Sequence, residues 1–207
     1  MPYIIGTKRE GVYDIYVTAL DGDSNKVRPL DQSPDMGDIA PAWNYATICG
    51  RTIDTTHLPT RLRKSGGRQK VPDFLGSSVG VLVSHKVRDI VEEFEPGVHG
   101  FHPMAFEKRD KTQVQTHFLW VFHHSIKALN PEGLTPAYPG PDDWWDGLNK
   151  RLHPDGHAIF SKAAIGDAHA WSDPQLMYRR FLSDELTQAL LNAEVTGFAP
   201  GRHIEAV

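Results

Sequence analysis

The chain has 207 residues, enough for one large domain or two small ones around a real hydrophobic core. Its 40% hydrophobic and 23% charged residues are the balance of an ordinary soluble globular protein. A net charge of −4 excludes the basic footprint expected of a nucleic-acid binder or of a protein held on anionic lipid.

The opening MPYIIGTKREG has no apolar core of signal-peptide length, and no later segment is long enough to span a membrane. The single cysteine, Cys49, excludes an intrachain disulfide framework and a thiolate-rich zinc site. A reducing cytoplasm is the expected location. Val12 to Leu20 alternates and is rich in β-branched and aromatic residues, which predicts a strand. Asp21 to Asn25 predicts a turn. Residues 28–44 hold Pro29, Pro34, Gly37 and Pro41 and predict irregular coil. Tyr45 to Cys49 is short enough for a strand, and residues 59–70 form a basic, glycine-containing loop. Thr116 to Leu129 is the most aromatic run. Periodicity leaves open a buried strand or a helix packed on two sides. Residues 135–147, with three prolines and two glycines, predict a surface loop. A short strand is expected at His157 to Phe160, and Gly166 to Gln175 reads as irregular.

One phrase occurs twice. Residues 82–103 run from Leu82-Val83-Ser84 through an amphipathic stretch to Gly100-Phe101-His102-Pro103. Residues 181–200 run from Phe181-Leu182-Ser183 through a second stretch to Gly197-Phe198-Ala199-Pro200. Val87, Ile90, Val91 and Phe94 in one copy, and Leu186, Ala189, Leu190 and Ala193 in the other, follow the spacing of one helix face. Ser84 and Ser183 stand where N-caps belong. The predicted unit is strand, capped helix, strand, with internal duplication as one origin and chance recurrence as the other.

Gly76-Ser77-Ser78-Val79-Gly80 matches the G-x-S-x-G nucleophile elbow, which needs a helix directly after the serine. Here Val81-Leu82-Val83 follows and is strand-like, so a turn is the expected role. His99/His102, His123/His124 and His153/His157 invite a metal reading, but none forms a known ligand motif. No metal or other cofactor is expected. The basic loop (Arg61, Arg63, Lys64, Arg68 and Lys70) lacks the ending of a P-loop and reads as a solvated charge run. Glu92-Glu93 lies on the polar side of the first helix. The acidic, proline-bounded stretch Asp142, Asp143, Trp144, Trp145 and Asp146 is the candidate partner-binding site, because tryptophan is enriched in interface hot spots. Its plainer role is that both rings fold back and fill a gap in the body.

Val71-Pro72-Asp73-Phe74-Leu75, the Val83-Ser84 helix with Gly100-Phe101-His102-Pro103, the aromatic segment from Thr116, and Phe181-Leu182-Ser183 with Gly197-Phe198 together resemble a bacterial family. It is the myxobacterial-type immunity-protein family of polymorphic toxin systems, formerly a domain of unknown function. The resemblance covers roughly residues 70–200 and carries no catalytic residues. It implies a non-enzymatic antitoxin that binds a cognate secreted toxin domain and blocks it, with no nucleic acid or membrane as partner. The missing export signal adds the expectation that the toxin acts in the cytosol.

The expected fold is α+β. Short mixed or antiparallel sheet segments carry the two capped helices. Residues 1–70 form an N-terminal strand-and-loop region packed on an immunity-like domain of residues 71–207, as one compact unit. Neutralisation of a toxin by occlusion is the first functional expectation. The alternatives are a small hydrolase using Ser78, a histidine metal enzyme, and a toxin-loading chaperone.

Overall fold

The protein is seen in a computed structural model that describes residues 1–7, 16–31, 45–65, 71–107, 112–140, 145–149, 151–177 and 179–207. The N-terminal part supplies β1 (Tyr3–Ile4), β2 (Tyr16–Ala19) and β3 (Arg61–Ser65). The middle supplies β4 (Phe74–Ser77), β5 (Gly80–Val83), α1 (His85–Phe94), β6 (Gly100–Glu107) and β7 (Gln113–Val121). The rest supplies β8 (Ile159–Phe160), α2 (Lys162–Ile165), β9 (Ala170–Asp173), β10 (Arg179–Leu182), α3 (Asp184–Asn192) and β11 (Glu205–Ala206). The architecture is mixed α+β and mostly sheet. No helix among the described residues is long and apolar enough to cross a membrane.

Six strands form the main sheet in the order β2-β3-β6-β7-β5-β4. Only the β3–β6 pair is parallel, so the sheet is mixed. The aromatic run that periodicity left open, Thr116 to Leu129, is strand only to Val121, where its alternation serves two cores at once. Leu119 and Val121 enter one cluster with Leu62, Leu82, Met104 and Phe106. Phe118 and Trp120 enter a second with Val81, Val83 and both long helices. The first face is covered by Val27, Ala46, Ile53 and Leu58. Residues from both expected parts, 1–70 and 71–207, therefore share this sheet and its core. A second sheet, β1-β10-β9, is antiparallel. Leu182 and Ala170 point from it into the helix-side cluster, while Phe181 and Trp171 point into a third cluster with Phe160 and Leu176. β8 and β11 form a short parallel pair at that third cluster.

The two helices follow the periodicity. Val87 and Val91, with Ile90 and Phe94 at the rim, bury α1; Leu186 and Leu190, with Ala193 at the rim, bury α3. The helices pack against each other over the main sheet. Their starts differ. The Ser183 hydroxyl accepts the Leu186 N–H at 3.1 Å, whereas Ser84 has the extended backbone of an N-cap but makes no such bond.

The repeat also diverges after the helices. Gly100 opens β6 as expected, but no strand directly follows Gly197, where Phe198 makes only an isolated bridge with Thr7. The chain instead folds back onto β4. Phe74 N–H donates to the Thr196 carbonyl at 3.0 Å, and the Thr196 N–H and hydroxyl donate to the Asp73 carboxylate at 3.0 and 2.7 Å. Burial pushes the Asp73 carboxyl up, but the Thr196 bonds outweigh it and hold it below the ordinary value.

Three further expectations are corrected. Tyr45 to Thr47 is a 3-10 turn, not a strand. Part of the basic loop is strand β3, in which Leu62 is buried between Arg61 and Arg63. One apolar residue among long cations gives too little alternation to read, although the cations' stems can lie along the sheet. The irregular stretch 166–175 contains β9, whose Ser172 and Asp173 are fully buried. Polar residues masked that strand because their partners lie elsewhere in the chain. The strand expected at 12–20 is seen as β2; residues 12–15 lie outside the described residues, as do 32–44 and 66–70.

Two positive-φ glycines that follow the long helices give a paired test. Gly97 and Gly197 have φ of 70° and 80°, which L-residues rarely adopt. A Cβ at Gly97 would meet nothing within 4 Å, but at Gly197 it would sit 2.3 Å from the Phe74 carbonyl oxygen. Gly97→Ala should cost about 1–2 kcal/mol. Gly197→Ala should cost roughly twice as much, because strain and overpacking add. Urea denaturation of the two variants measures both values; equal losses would mean that the contact with β4 carries no weight.

Candidate functional site

Of the five candidate contact residues, Asp142, Asp143 and Trp144 lie outside the described residues. Trp145 is 2% exposed and belongs to the third hydrophobic cluster. Its indole N–H donates to the Pro136 carbonyl at 2.7 Å, and its backbone N–H donates to Gln175. This ring is a plug that fills the third cluster. Asp146 next to it is exposed and accepts from His153 Nε2–H at 2.8 Å.

The histidine pairs separate. His153 serves Asp146. His123 donates from Nδ1 to the Val98 carbonyl at 2.9 Å, and burial pushes both His102 and His123 below the ordinary imidazole value. His99 turns away from His102 and meets Glu95, a residue the motifs did not single out. Among the described residues, no group of three or more His, Cys, Asp or Glu is arranged to hold a metal ion. Ser78 sits at the exposed tip of the β4–β5 hairpin. A strand follows it, so the helix that a nucleophile elbow requires is displaced to residue 85. Cys49 is buried, and its thiol donates to the Ala46 carbonyl. Arg61 of the basic stretch is bound to Asp21, whose carboxyl also takes the Thr60 N–H and hydroxyl. Slight burial pushes Asp21 up, but the Arg61 and Thr60 bonds win and hold it at about 2.

Glu95 is the centre of the polar structure. It caps the C-terminal end of α1, and only 5% of it is exposed. The His99 ring donates from Nε2 to Oε2 at 2.6 Å. That tautomer follows from Nδ1, which accepts the His123 N–H at 3.3 Å. The Oε1 atom accepts the His169 backbone N–H at 2.8 Å, and His124 Nε2 stands 3.3 Å away. His169 in turn bonds through Nδ1 to the Ser183 hydroxyl at 2.8 Å, which also caps α3. One carboxylate thus joins the end of α1, the segment after β7, the segment before β9 and the start of α3. Burial pushes the Glu95 carboxyl up, but the His99 and His169 bonds outweigh it and hold it below the ordinary value. The Glu95/His99 spacing of i, i+4 was the available sequence signal. It is weak, because Pro96-Gly97 breaks the helix between them.

Two hollows flank this cluster. One, of about 480 Å³, is lined by Glu95, His124, Ile126 and Phe94 among others. The second, of about 330 Å³, is lined by His169, Trp171, Ser183, Asp184 and Glu185 among others. Ile165, Asp167 and Ala168 line both and form the ridge between them.

A second buried carboxylate, Asp173, accepts the Ala128 and Gln175 N–H groups at 2.9 and 2.8 Å. Burial dominates and pushes it up to about 7 despite those donors.

Glu95→Ala should destabilise the fold by roughly 2–5 kcal/mol, because it leaves His99 Nε2–H and His169 N–H buried without an acceptor. Glu95→Gln should lose less, since one acceptor oxygen remains. Chemical denaturation checks both. The pH dependence has opposing parts. Asp173 has a raised value, so its contribution is complete below about 3.8 and is lost as pH rises to about 7, by up to ~4 kcal/mol. Glu95, His102, His117 and His123 have lowered values, so their contributions are present at neutral pH. The histidine part declines as pH falls below 6.5 and the Glu95 part as it falls below 4.5. Asp173→Asn should therefore steepen the acid-side loss of stability between pH 7 and 4, read from denaturant midpoints across that range. An unchanged slope would show that Asp173 is ionised throughout.

No curated protein matches the chain in sequence comparison. The model of the immunity protein family Imm11 matches residues 21–203. That span takes in strands β3 to β7 of the main sheet, both long helices and the Glu95 cluster, and it extends the resemblance seen in residues 70–200 through β3 and its connections. The chain belongs to the immunity protein family Imm11.

Proposed function

We propose that the protein neutralises a cognate secreted toxin domain by binding it in the cytosol of the producing cell and covering its active face. The observation that carries this reading is family membership across residues 21–203, which implies a toxin as protein partner. The chemistry of the fold agrees with a role by shape. The Glu95, Asp173 and Asp73 carboxylates are all engaged in bonds that hold elements together. Occlusion needs a rigid surface with a few anchors, not a reacting group.

The acidic stretch remains the first contact surface of this proposal. Asp142, Asp143, Trp144 and Asp146 are its proposed contact residues, and Trp145 is a buried anchor. Three carboxylates in one loop favour a basic partner and speed its approach. An interface of this kind should bury at least about 1,000 Å².

The test is co-expression with the candidate toxin domain of a neighbouring reading frame. The intact chain should restore growth and form a stable complex with an inhibited toxin. A complex with a fully active toxin would identify a loading chaperone instead, and no complex would remove the proposal. Trp144→Ala should weaken the complex at least ~10-fold with unchanged thermal stability. Trp145→Ala should instead lower stability by about 3–5 kcal/mol, as expected for a buried tryptophan. Titration calorimetry and thermal melts separate the two effects.

A further inference from the structure

The paired hollows beside Glu95 carry more negative charge than the rest of the fold accounts for. Glu95, Asp167, Asp184 and Glu185 line them, against Lys162 and the N-terminal amine of Met1. His99 turns its Nε2–H to Glu95 and its Nδ1 to the His123 N–H, so its ring is held on the inner side of the carboxylate. Above it, His124 is 36% exposed and stands at 3.3 Å, a long contact that a stronger donor can displace. Asp167 on the shared ridge is exposed and makes no ion pair among the described residues. The start of α3 offsets part of the charge on Asp184 and Glu185, and nothing comparable offsets Asp167.

The walls between these charges are apolar: Phe94, Ile126, Ile165, Ala168 and Trp171. Carboxylates spaced along an apolar trough suit a cation carried on a hydrocarbon stem, whose methylenes lie on the wall while its head reaches the acid. A planar guanidinium fits best, because it is weakly hydrated and can bond a carboxylate through two N–H groups.

We propose that this groove is a binding site for arginine side chains projecting from a protein partner, with Glu95 at the floor of one hollow and Asp167 and Asp184 at the rim of the other. Taking that partner as the toxin rests on the function proposed above; the recognition of arginine does not. The groove and the acidic stretch at 142–146 would then be two contacts with one basic surface.

The first probe is a blocked Gly-Arg-Gly-Arg-Gly peptide, compared with the same peptide carrying citrulline, which keeps the shape of arginine and removes its charge. The peptide is titrated into the isotopically labelled full chain. The arginine peptide should give saturable NMR shifts at Ile165, Ala168, His169 and Ile126, and the citrulline peptide should not. Asp167→Asn with Asp184→Asn should weaken the binding about 10-fold while the thermal midpoint stays close to wild type. Equal response to both peptides, shifts confined to other surfaces, or indifference to the double substitution would each overturn the proposal.

The second arm uses co-expression. Asp167→Lys with Asp184→Lys should abolish protection, while Glu132→Lys on a separate exposed turn should not. Full protection by the Asp167/Asp184 reversal would sink the groove as a toxin contact and leave the immunity reading standing. Absence of protection by the unaltered chain would sink that reading, and the peptide titration would then judge the groove alone.

Discussion

The fold turns on a charge kept out of water. Glu95 ends one helix, and its two oxygens accept from the His99 ring and from the His169 N–H 74 residues away, with His124 in close contact. A buried carboxylate is tolerable only when its donors are already in position, so each donor segment is held in place by the same requirement. Through His169 the constraint continues to the Ser183 cap of α3. The two helices pack side by side on the sheet, and this polar thread runs beneath their ends. Apolar contact gives the helices a face to bury, and the carboxylate sets which ends meet.

Three hydrophobic clusters surround that thread, and two sheets divide them. Strand β7 separates the first cluster from the second by simple alternation, and β10 separates the second from the third in the same way. The N-terminal segments close the outer face of the main sheet, while Trp145, Phe160 and Ile204 close the far side of the smaller sheet. Sheets buried on both faces demand nearly continuous apolar strands. Strand β5, with all four residues buried, meets that demand. Strand β9 breaks it with Ser172 and Asp173. Both are satisfied by main-chain groups of the segment that follows β7, so a polar pair stitches the smaller sheet to the end of the larger one.

This construction suits a protein that acts through its surface. The buried carboxylates Glu95 and Asp173 are committed to holding elements together, and Asp146 and Asp167 are exposed. A framework held at several depths keeps such features in fixed relative positions, which lowers the ordering cost of binding. The proposed anchors differ in kind: an acidic stretch ending at the buried Trp145 and the exposed Asp146, and a trough cut between secondary-structure elements.

What the sequence determined by itself is whatever neighbouring residues decide. The α1 and α3 faces, the Ser183 cap, the hairpin strand β5 and the mixed α+β class all follow from local periodicity and end signals, and the family resemblance was carried by these same phrases. Periodicity says which face of an element is buried, but not what buries it. Tertiary structure alone decided that Arg61 to Ser65 and Ala170 to Asp173 are strands, that Gly197 leads back to β4 and not into a new strand, and that Trp145 fills the core. It also decided that Glu95, His99 and His169 share one charge. Each of these depends on a partner distant in the chain. The free energy of a buried polar group or a large ring is set by the atoms that meet it, and those atoms are chosen only when the sheets assemble.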